Sequence, residues 1–389
     1  MKNIILSERV PIKMWLDEME GSAIQQAKNL ANLPFIYRHL AIMPDAHSGF
    51  GMPIGGVFAA VDVIVPNAVG VDIGCGMCAV RSNLNTIGEK KLRKIVGLIK
   101  QGIPVGTAHH PKPQDESLMP LGFDLDELRV VKSAYESAKR QIGTLGSGNH
   151  FIEIQQGDDG FIWIMLHSGS RNLGKKVADF YNKIAIRCNA MWHSEVEKSM
   201  ELAFLPIQTA EAKAYFREMK YCVEFALANR KLMMDRIQVF FHKVMGKGVV
   251  FDPVINIAHN YARWESHFGK DVVVHRKGAT SAKPGEIGII PGSQGSKSYI
   301  VEGLGNREAF MSCSHGAGRK MGRNQAIRSL NLEEEIGIMN RQGIIHDIRT
   351  AGNLDEAPGA YKDIDTVMEN QNDLVKKLVE LRPLAVVKG

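Results

Sequence analysis

The chain has 389 residues, 44% of them hydrophobic and 23% charged, a balance that fits a globular protein of one large or two ordinary domains. Its 48 Lys and Arg against 42 Asp and Glu give +6, compatible with a polyanionic partner but too mild to require one. Five irregularly spaced cysteines exclude a disulfide framework, charge arrives too early for a signal peptide, and no stretch nears the ~18 apolar residues of a membrane span, so a cytoplasmic location is expected.

Residues 1–85 alternate short apolar runs with Gly and Pro: HLAIMPDAH, GGVFAAVDVIV, and VGVDIG leading into CAVRSNL. They read as strands joined by tight turns. A helix is expected around 88–101, then a Pro/His-rich loop, then a helix near 124–141. Over 143–171 two Gly/Ser turns flank the strand-like FIEIQQ and FIWIMLHS. From 174 to 246 apolar residues recur at helical spacing, and Pro206 separates two long helices, which reads as a helical insertion with no linker to make it independent. Strands return over 248–305. Helices are expected near 322–340 and 363–382, the latter with Ile364, Val367, Met368, Leu374, Val375, Leu378 and Leu381 on its apolar face; LAVVKG closes the chain as a short strand. The expectation is one composite α+β unit over residues 1–389, because candidate ligands come from both halves.

Those ligands are spaced far apart. Asp72 and Cys75 lie three apart in GVDIGCGM, so a regular strand would point them to opposite faces. Gly74 and Gly76 suggest instead a turn that could bring both onto one ion. His150 in GSGNHF, His167 in LHSGSR, His259 in NIAHNY and His315 in SHGAGR each lie among small residues. Thiolate, carboxylate and imidazole form the ligand set of a Mn or Zn site, and a bridging thiolate allows two metals. His39, His109, His110, His193, His242 and His346 read as ordinary structural residues. Cys75 and Cys78 match a CxxC redox pair, but such a pair opens a helix, and CAVRSNL reads as strand. Asp45 and His47, in MPDAHSGFGMPIGG, mark a Gly-rich turn that either supports the site or faces RNA. Residues 291–298, PGSQGSKS, resemble a phosphate loop but fail the Walker pattern, since Ser296 stands where the glycine before Lys is required. His315, beside glycines and Arg319, suits attack on phosphorus, with Arg171, Arg319 and Arg323 available to grip phosphates or to form surface ion pairs.

In order along the chain, GVDIGCGM, GSGNHFIE, LHSGSR, AHNY, HRKGA, IPGSQGSKSY, SHGAGR and AYKDID resemble the motifs of the RtcB family of RNA ligases, from about residue 34 to VVKG. The resemblance implies an RtcB-like α+β fold of central sheets surrounded by helices. It also implies Mn²⁺- and GTP-dependent joining of an RNA 3′-phosphate or 2′,3′-cyclic phosphate end to a 5′-hydroxyl end. It makes His315 the guanylylated residue and assigns two Mn²⁺ ions to Asp72, Cys75, His150, His167 and His259, with Cys75 bridging. Guanylate contacts fall to Asn149, Glu153, Ser293, Ser298, Gly316, Ala317, Gly318, Tyr361 and Lys388. Arg171, Arg319 and Arg323 are expected on RNA phosphates. The chain is shorter than archaeal and eukaryotic members, and this short bacterial form fits RNA repair at least as well as tRNA splicing. A monomer suffices, and an activating or substrate-delivering protein is left open. The rival readings are a dinuclear phosphohydrolase, which needs neither GTP nor His315, and an RNA-binding chaperone, which needs no ligand cluster.

Overall fold

A computed structural model describes all 389 residues. Two sheets dominate. In the first, strands Asn3–Ile5, Ile12–Met14, Ile36–His47, Ile54–Ala60, Lys270–Lys277 and Asn260–His267 lie side by side in that order. In the second, the order is Ile255–Ala258, Gly76–Arg81, Ile162–Ser168, Phe151–Gly157, Val375–Lys388, Ser298–Gly303 and Ile287–Ile290. All pairings are antiparallel except that of Ile12–Met14 with Ile36–His47. The mixed α+β architecture is the one the RtcB resemblance implies.

The chain crosses from one sheet to the other at His259, which separates two consecutive strands belonging to different sheets. The two long helices expected around Pro206 are Arg171–Met191 and Ala210–Met245. Thr209 caps the second, accepting from Ala212 N. Its buried stripe runs from Tyr215 through Met219, Cys222, Phe225, Met233 and Ile237 to Phe241, the helical period read from sequence. That stripe enters two core clusters. One holds Val131 and Val177, the other Ile95, Ile164 and Ile237 between helix and sheet. No helix is long and apolar enough to cross a membrane.

The expected elements fail in four places. VGVDIG is a turn and not a strand; the strand begins at Gly76. Gly21–Ala31 is a helix within a region read as strands and turns. The helix expected over 322–340 is two, Arg323–Ser329 and Leu332–Arg341, because Asn331 caps the second afresh by accepting from Glu333 N and Glu334 N. The largest failure is 363–382. Only Ile364–Glu369 is helical there, and Val375–Lys388 is one long strand. Leu378, assigned to an apolar helix face, is 40% exposed. Hydrogen bonding on both edges, to Phe151–Gly157 and to Ser298–Gly303, overrides a spacing that fitted either period. Pro383 is accommodated where the register shifts between Pro383 and Ala385.

Candidate active site

Register alone gathers the site. Ala258 lies opposite Gly76, Gly76 opposite Ser168, His167 opposite Phe151, and Phe151 opposite Lys388. One end of five adjacent antiparallel strands therefore collects Cys75, His259, His167, His150 and Lys388 from across the sequence.

The Asp72–Cys75 turn is tied down on three sides. Cys75 N donates to Asp72 O, Gly74 N to Asn260 O, and Asn260 Nδ2 to Asp72 O. His259 N donates to Cys75 O at 2.8 Å. Gly74 needs its positive φ of 76°, and a Cβ there would lie 2.8 Å from Val223 Cα. The turn brings both side chains to one place, and two ligand groups result: Cys75 with His167 and His259, and Asp72 with Cys75 and His150. Cys75 belongs to both. Its Sγ lies 3.2 Å from His167 Nε2 and 3.5 Å from His150 Nε2. His167 Nε2 is 3.3 Å from His259 Nε2, and His150 Nε2 is 3.2 Å from Asp72 Oδ2.

The donor set fits a cation. His150 Nδ1 faces Leu145 O at 2.9 Å and His167 Nδ1 faces Asn149 O at 3.1 Å, contacts that place the proton on Nδ1. Burial drives His167 and His259 well below the ordinary imidazole range, so they are neutral. The Nε2 lone pairs of His150 and His167 converge on the Cys75 sulfur with at most one thiol proton between them, an arrangement that a bound ion stabilises. Burial, then the Asp72 charge, push the Cys75 thiol well up, so a metal would also be needed to hold it as thiolate. Burial opposes ionisation of Asp72, yet its contact with His150 holds it below the usual range.

His315 stands beside this cluster, its ring T-shaped against His259 with centroids 4.8 Å apart. Its Nδ1 lies 2.6 Å from Asp45 Oδ2, a close approach at an angle short of a well-directed hydrogen bond. Asp45 is fully buried and also accepts from His315 N and Gly316 N. With Nδ1 so engaged, Nε2 is the ring nitrogen left for the cavity. Asp45 and His47 end strand Ile36–His47 and precede the turn expected there, and of its two readings Asp45 takes the supporting one.

That cavity, about 760 Å³, is lined by Asn149, Glu153, His167, Ser293, His315, Gly316, Ala317, Gly318, Arg319, Arg323, Tyr361 and Lys388, among others. Most of the sequence-derived nucleotide residues thus share one wall. Ser298 lies behind it, its Oγ accepting from Gly292 N and Gln155 Nε2. Lys297 turns away to Asp365 and Glu380, and Ser293 N donates to Ser296 Oγ, so the 291–298 loop binds largely to itself. Arg171 does not line the cavity. It lies against His150, 3.3 Å from Nδ1, with a φ of 60° and its guanidinium over Gly146 where any Cβ would collide. Burial lifts Glu153 to about 8 and pulls Lys388 down.

Three residues escaped sequence reading. Glu356, almost fully buried, gathers Arg319 Nη1 (3.1 Å), Arg323 Nη2 (3.3 Å), Lys388 Nζ (3.4 Å) and the Tyr361 hydroxyl. Burial works against its charge, but these partners keep it ionised. Asn229 and Arg230 lie on helix Ala210–Met245. Arg230 Nη1 donates to Gly74 O (2.9 Å) and Ser168 O (2.8 Å), while Asn229 Nδ2 donates to Ser168 Oγ and Gly169 O. Nothing in NLDEAPGAY marks Glu356. The other two did leave a signal, a polar pair interrupting an otherwise apolar helical stripe.

The family model described as tRNA-splicing ligase RtcB matches residues 26–121 and 122–389. The chain is 38% identical over 409 residues to the RNA-splicing ligase RtcB1 of Escherichia coli, covering 99% of both chains. It is 37% identical to the RNA-splicing ligase RtcB of Escherichia coli strain K12, again over 99% of each, and 34% identical to the tRNA-splicing ligase RtcB of Pyrobaculum aerophilum, over 98% of this chain and 95% of that one. With its ligand cluster, its cavity-facing histidine and matches along its full length, the chain belongs to the RtcB family of RNA ligases.

Proposed function

We propose that this ligase joins RNA 3′-phosphate or 2′,3′-cyclic phosphate ends to 5′-hydroxyl ends through a guanylylated His315, using GTP and two Mn²⁺ ions. The observation that carries the reading is the placement of His315. Asp45 engages its Nδ1, so Nε2 points into a nucleotide-sized cavity beside the Cys75 cluster.

In the first step Nε2 bonds to the α-phosphorus of GTP as the bond to the pyrophosphate oxygen breaks. Asp45 steadies the positive charge that forms on the ring. An oxygen of the RNA 3′-phosphate then bonds to that phosphorus while the P–Nε2 bond breaks, and the imidazole is restored. Finally the 5′-hydroxyl oxygen bonds to the RNA phosphorus, losing its proton, and GMP leaves. Asp72, Cys75, His150, His167 and His259 would hold the two ions, which supply charge neutralisation for the phosphates in play. Glu153 and Lys388 face the purine, and Tyr361 and Ser293 flank the nucleotide. Arg323, half exposed, and Arg319 are placed to meet RNA phosphate. Residues 1–389 work as one unit, because strands from both halves build the ligand end of the sheet.

The test is incubation with Mn²⁺ and GTP labelled at the α-phosphate, followed by denaturing gels. Acid-labile label on the wild type and none on His315→Ala is expected. No label on a protein that binds Mn²⁺ sinks the ligase chemistry and leaves the phosphohydrolase reading.

A further inference from the structure

One wall of the His315 cavity has no role in the steps above. Besides Glu153 and Lys388, the cavity is lined by His47, Ser48, Phe50 and Ile54, from the turn joining strands Ile36–His47 and Ile54–Ala60 and the strand ends that flank it. Ile54 and His315 meet across Gly278, where a Cβ would lie 2.4 Å from Ile54 Cγ2 and 3.1 Å from His315 Cε1. The turn therefore adjoins the reacting imidazole directly.

Phe50 is 68% exposed, and among the large exposed apolar side chains it is the one that lines this cavity. An exposed aromatic on a surface turn is ordinarily mobile and incidental. This turn is neither. Gln26 brackets Gly49, donating from Nε2 to Gly49 O and accepting from Gly49 N. The buried Lys277 Nζ donates to Phe50 O at 2.6 Å and to Asn67 O at 3.1 Å. Ser48 N donates to Glu20, and Met52 N donates to Phe50 O at 2.7 Å. Gly51 holds a φ of 67°, and a Cβ there would lie 2.5 Å from Glu201 O. A buried ammonium and two side-chain clamps thus fix the backbone that presents one solvated ring. Lys320, Arg323 and Arg328 line the same cavity, so its lining combines a π face with cations. That pairing of aromatic platform and basic rim is what single-stranded nucleic acid binds.

We propose that Phe50 is the stacking platform for the 3′-terminal base of the RNA whose phosphate is brought to His315. The inference rests on the ligase reading and adds to it a position for the incoming strand. With Glu153 and Lys388 taken by the nucleotide, the Phe50 lining beside His315 is left for the incoming strand. A base seated on the ring places its own 3′-phosphate at the imidazole.

The test starts from protein already labelled on His315 and freed of GTP, so that the labelling step drops out. Transfer of label to a 3′-phosphorylated oligoribonucleotide is followed in single turnover at varied RNA concentration. Phe50→Ala should raise the half-saturating RNA concentration about 5- to 150-fold, the range for loss of one base–aromatic stack. Phe50→Trp should restore it. An oligonucleotide abasic at its 3′-terminal residue should show the same defect on wild type, and combining it with Phe50→Ala should add nothing. An unchanged half-saturation in Phe50→Ala, a full abasic penalty that persists in that variant, or sensitivity confined to an abasic 5′-hydroxyl strand each overturns the assignment. Absence of label on wild-type His315 overturns the ligase chemistry instead, and the two failures are distinct.

Discussion

Arg230→Met offers a test of how helix Ala210–Met245 supports the metal centre. The wild-type guanidinium is fully buried and joins two ligand-bearing turns, through Gly74 O at 2.9 Å and Ser168 O at 2.8 Å, while its Nε donates to Asn256 Oδ1 at 2.7 Å. Methionine keeps much of the volume and removes every donor. Two buried carbonyls lose a charged partner at roughly 1–3 kcal/mol each. Removing a buried charge returns part of that loss. A net destabilisation of about 3 kcal/mol is therefore expected, a large share of a typical 5–15 kcal/mol. Urea unfolding in chelator measures it as a lower midpoint at unchanged slope. The more specific consequence is metal affinity, because Cys75 and His167 are carried by the freed turns. Mn²⁺ should bind roughly 10- to 100-fold more weakly, the range for loss of a contact supporting a ligand. Arg230→Lys, which keeps the charge, should recover part of the affinity. If Arg230→Met loses stability but binds Mn²⁺ within twofold of wild type, Arg230 serves packing alone and the positioning argument is wrong.

Three further outcomes follow from the geometry. Cys75 is shared and Asp72 is not, so titration should find Cys75→Ala defective in both ions and Asp72→Ala in one; equal stoichiometry in the two variants contradicts a bridging sulfur. Asp45→Asn removes the carboxylate 2.6 Å from His315 Nδ1 and should slow self-labelling roughly 10²- to 10⁴-fold, read by rapid quench, with a rate within tenfold of wild type counting against it. Burial lifts Glu153 from its ordinary 4.5 to about 8, so between those values the folded protein holds a proton that the unfolded chain has lost, and its contribution to stability falls as pH rises through that window. The N–H donors of a guanine edge favour the carboxylate, so GTP binding at pH 7 should release a proton. Calorimetry in buffers of unlike ionisation heat detects it, and identical heats refute it.

Much of the candidate site was legible because reactive side chains on turns leave a local mark. Small residues around Cys75, His150, His167, His259 and His315 permit the close backbone approaches that the fold uses. The strands preceding or following those residues are apolar enough to read directly. Legibility ended where tertiary pairing decides conformation. Val375–Lys388 carries apolar residues that suit a helix or a strand, and only its two neighbours settle which. Glu356 could not be found, since its importance lies wholly in four partners drawn from elsewhere in the chain. The 174–246 region was legible as helical, but that its Asn229 and Arg230 would brace the backbone beside Cys75 and His167 was not.

The central position of strand Val375–Lys388 also orders the protein's maturation. Cys75, His150, His167 and His259 all precede residue 260, and their strands can pair as soon as that part of the chain has been synthesised. The Lys388 side of the cavity cannot form until strand Val375–Lys388 inserts between Phe151–Gly157 and Ser298–Gly303. Folding N-terminal parts first therefore gives an intermediate with the Cys75 cluster gathered, the cavity incomplete and two sheet edges unpaired. Such edges recruit foreign strands until they are covered. The same strand that completes the nucleotide wall thus also ends the protein's most aggregation-prone stage.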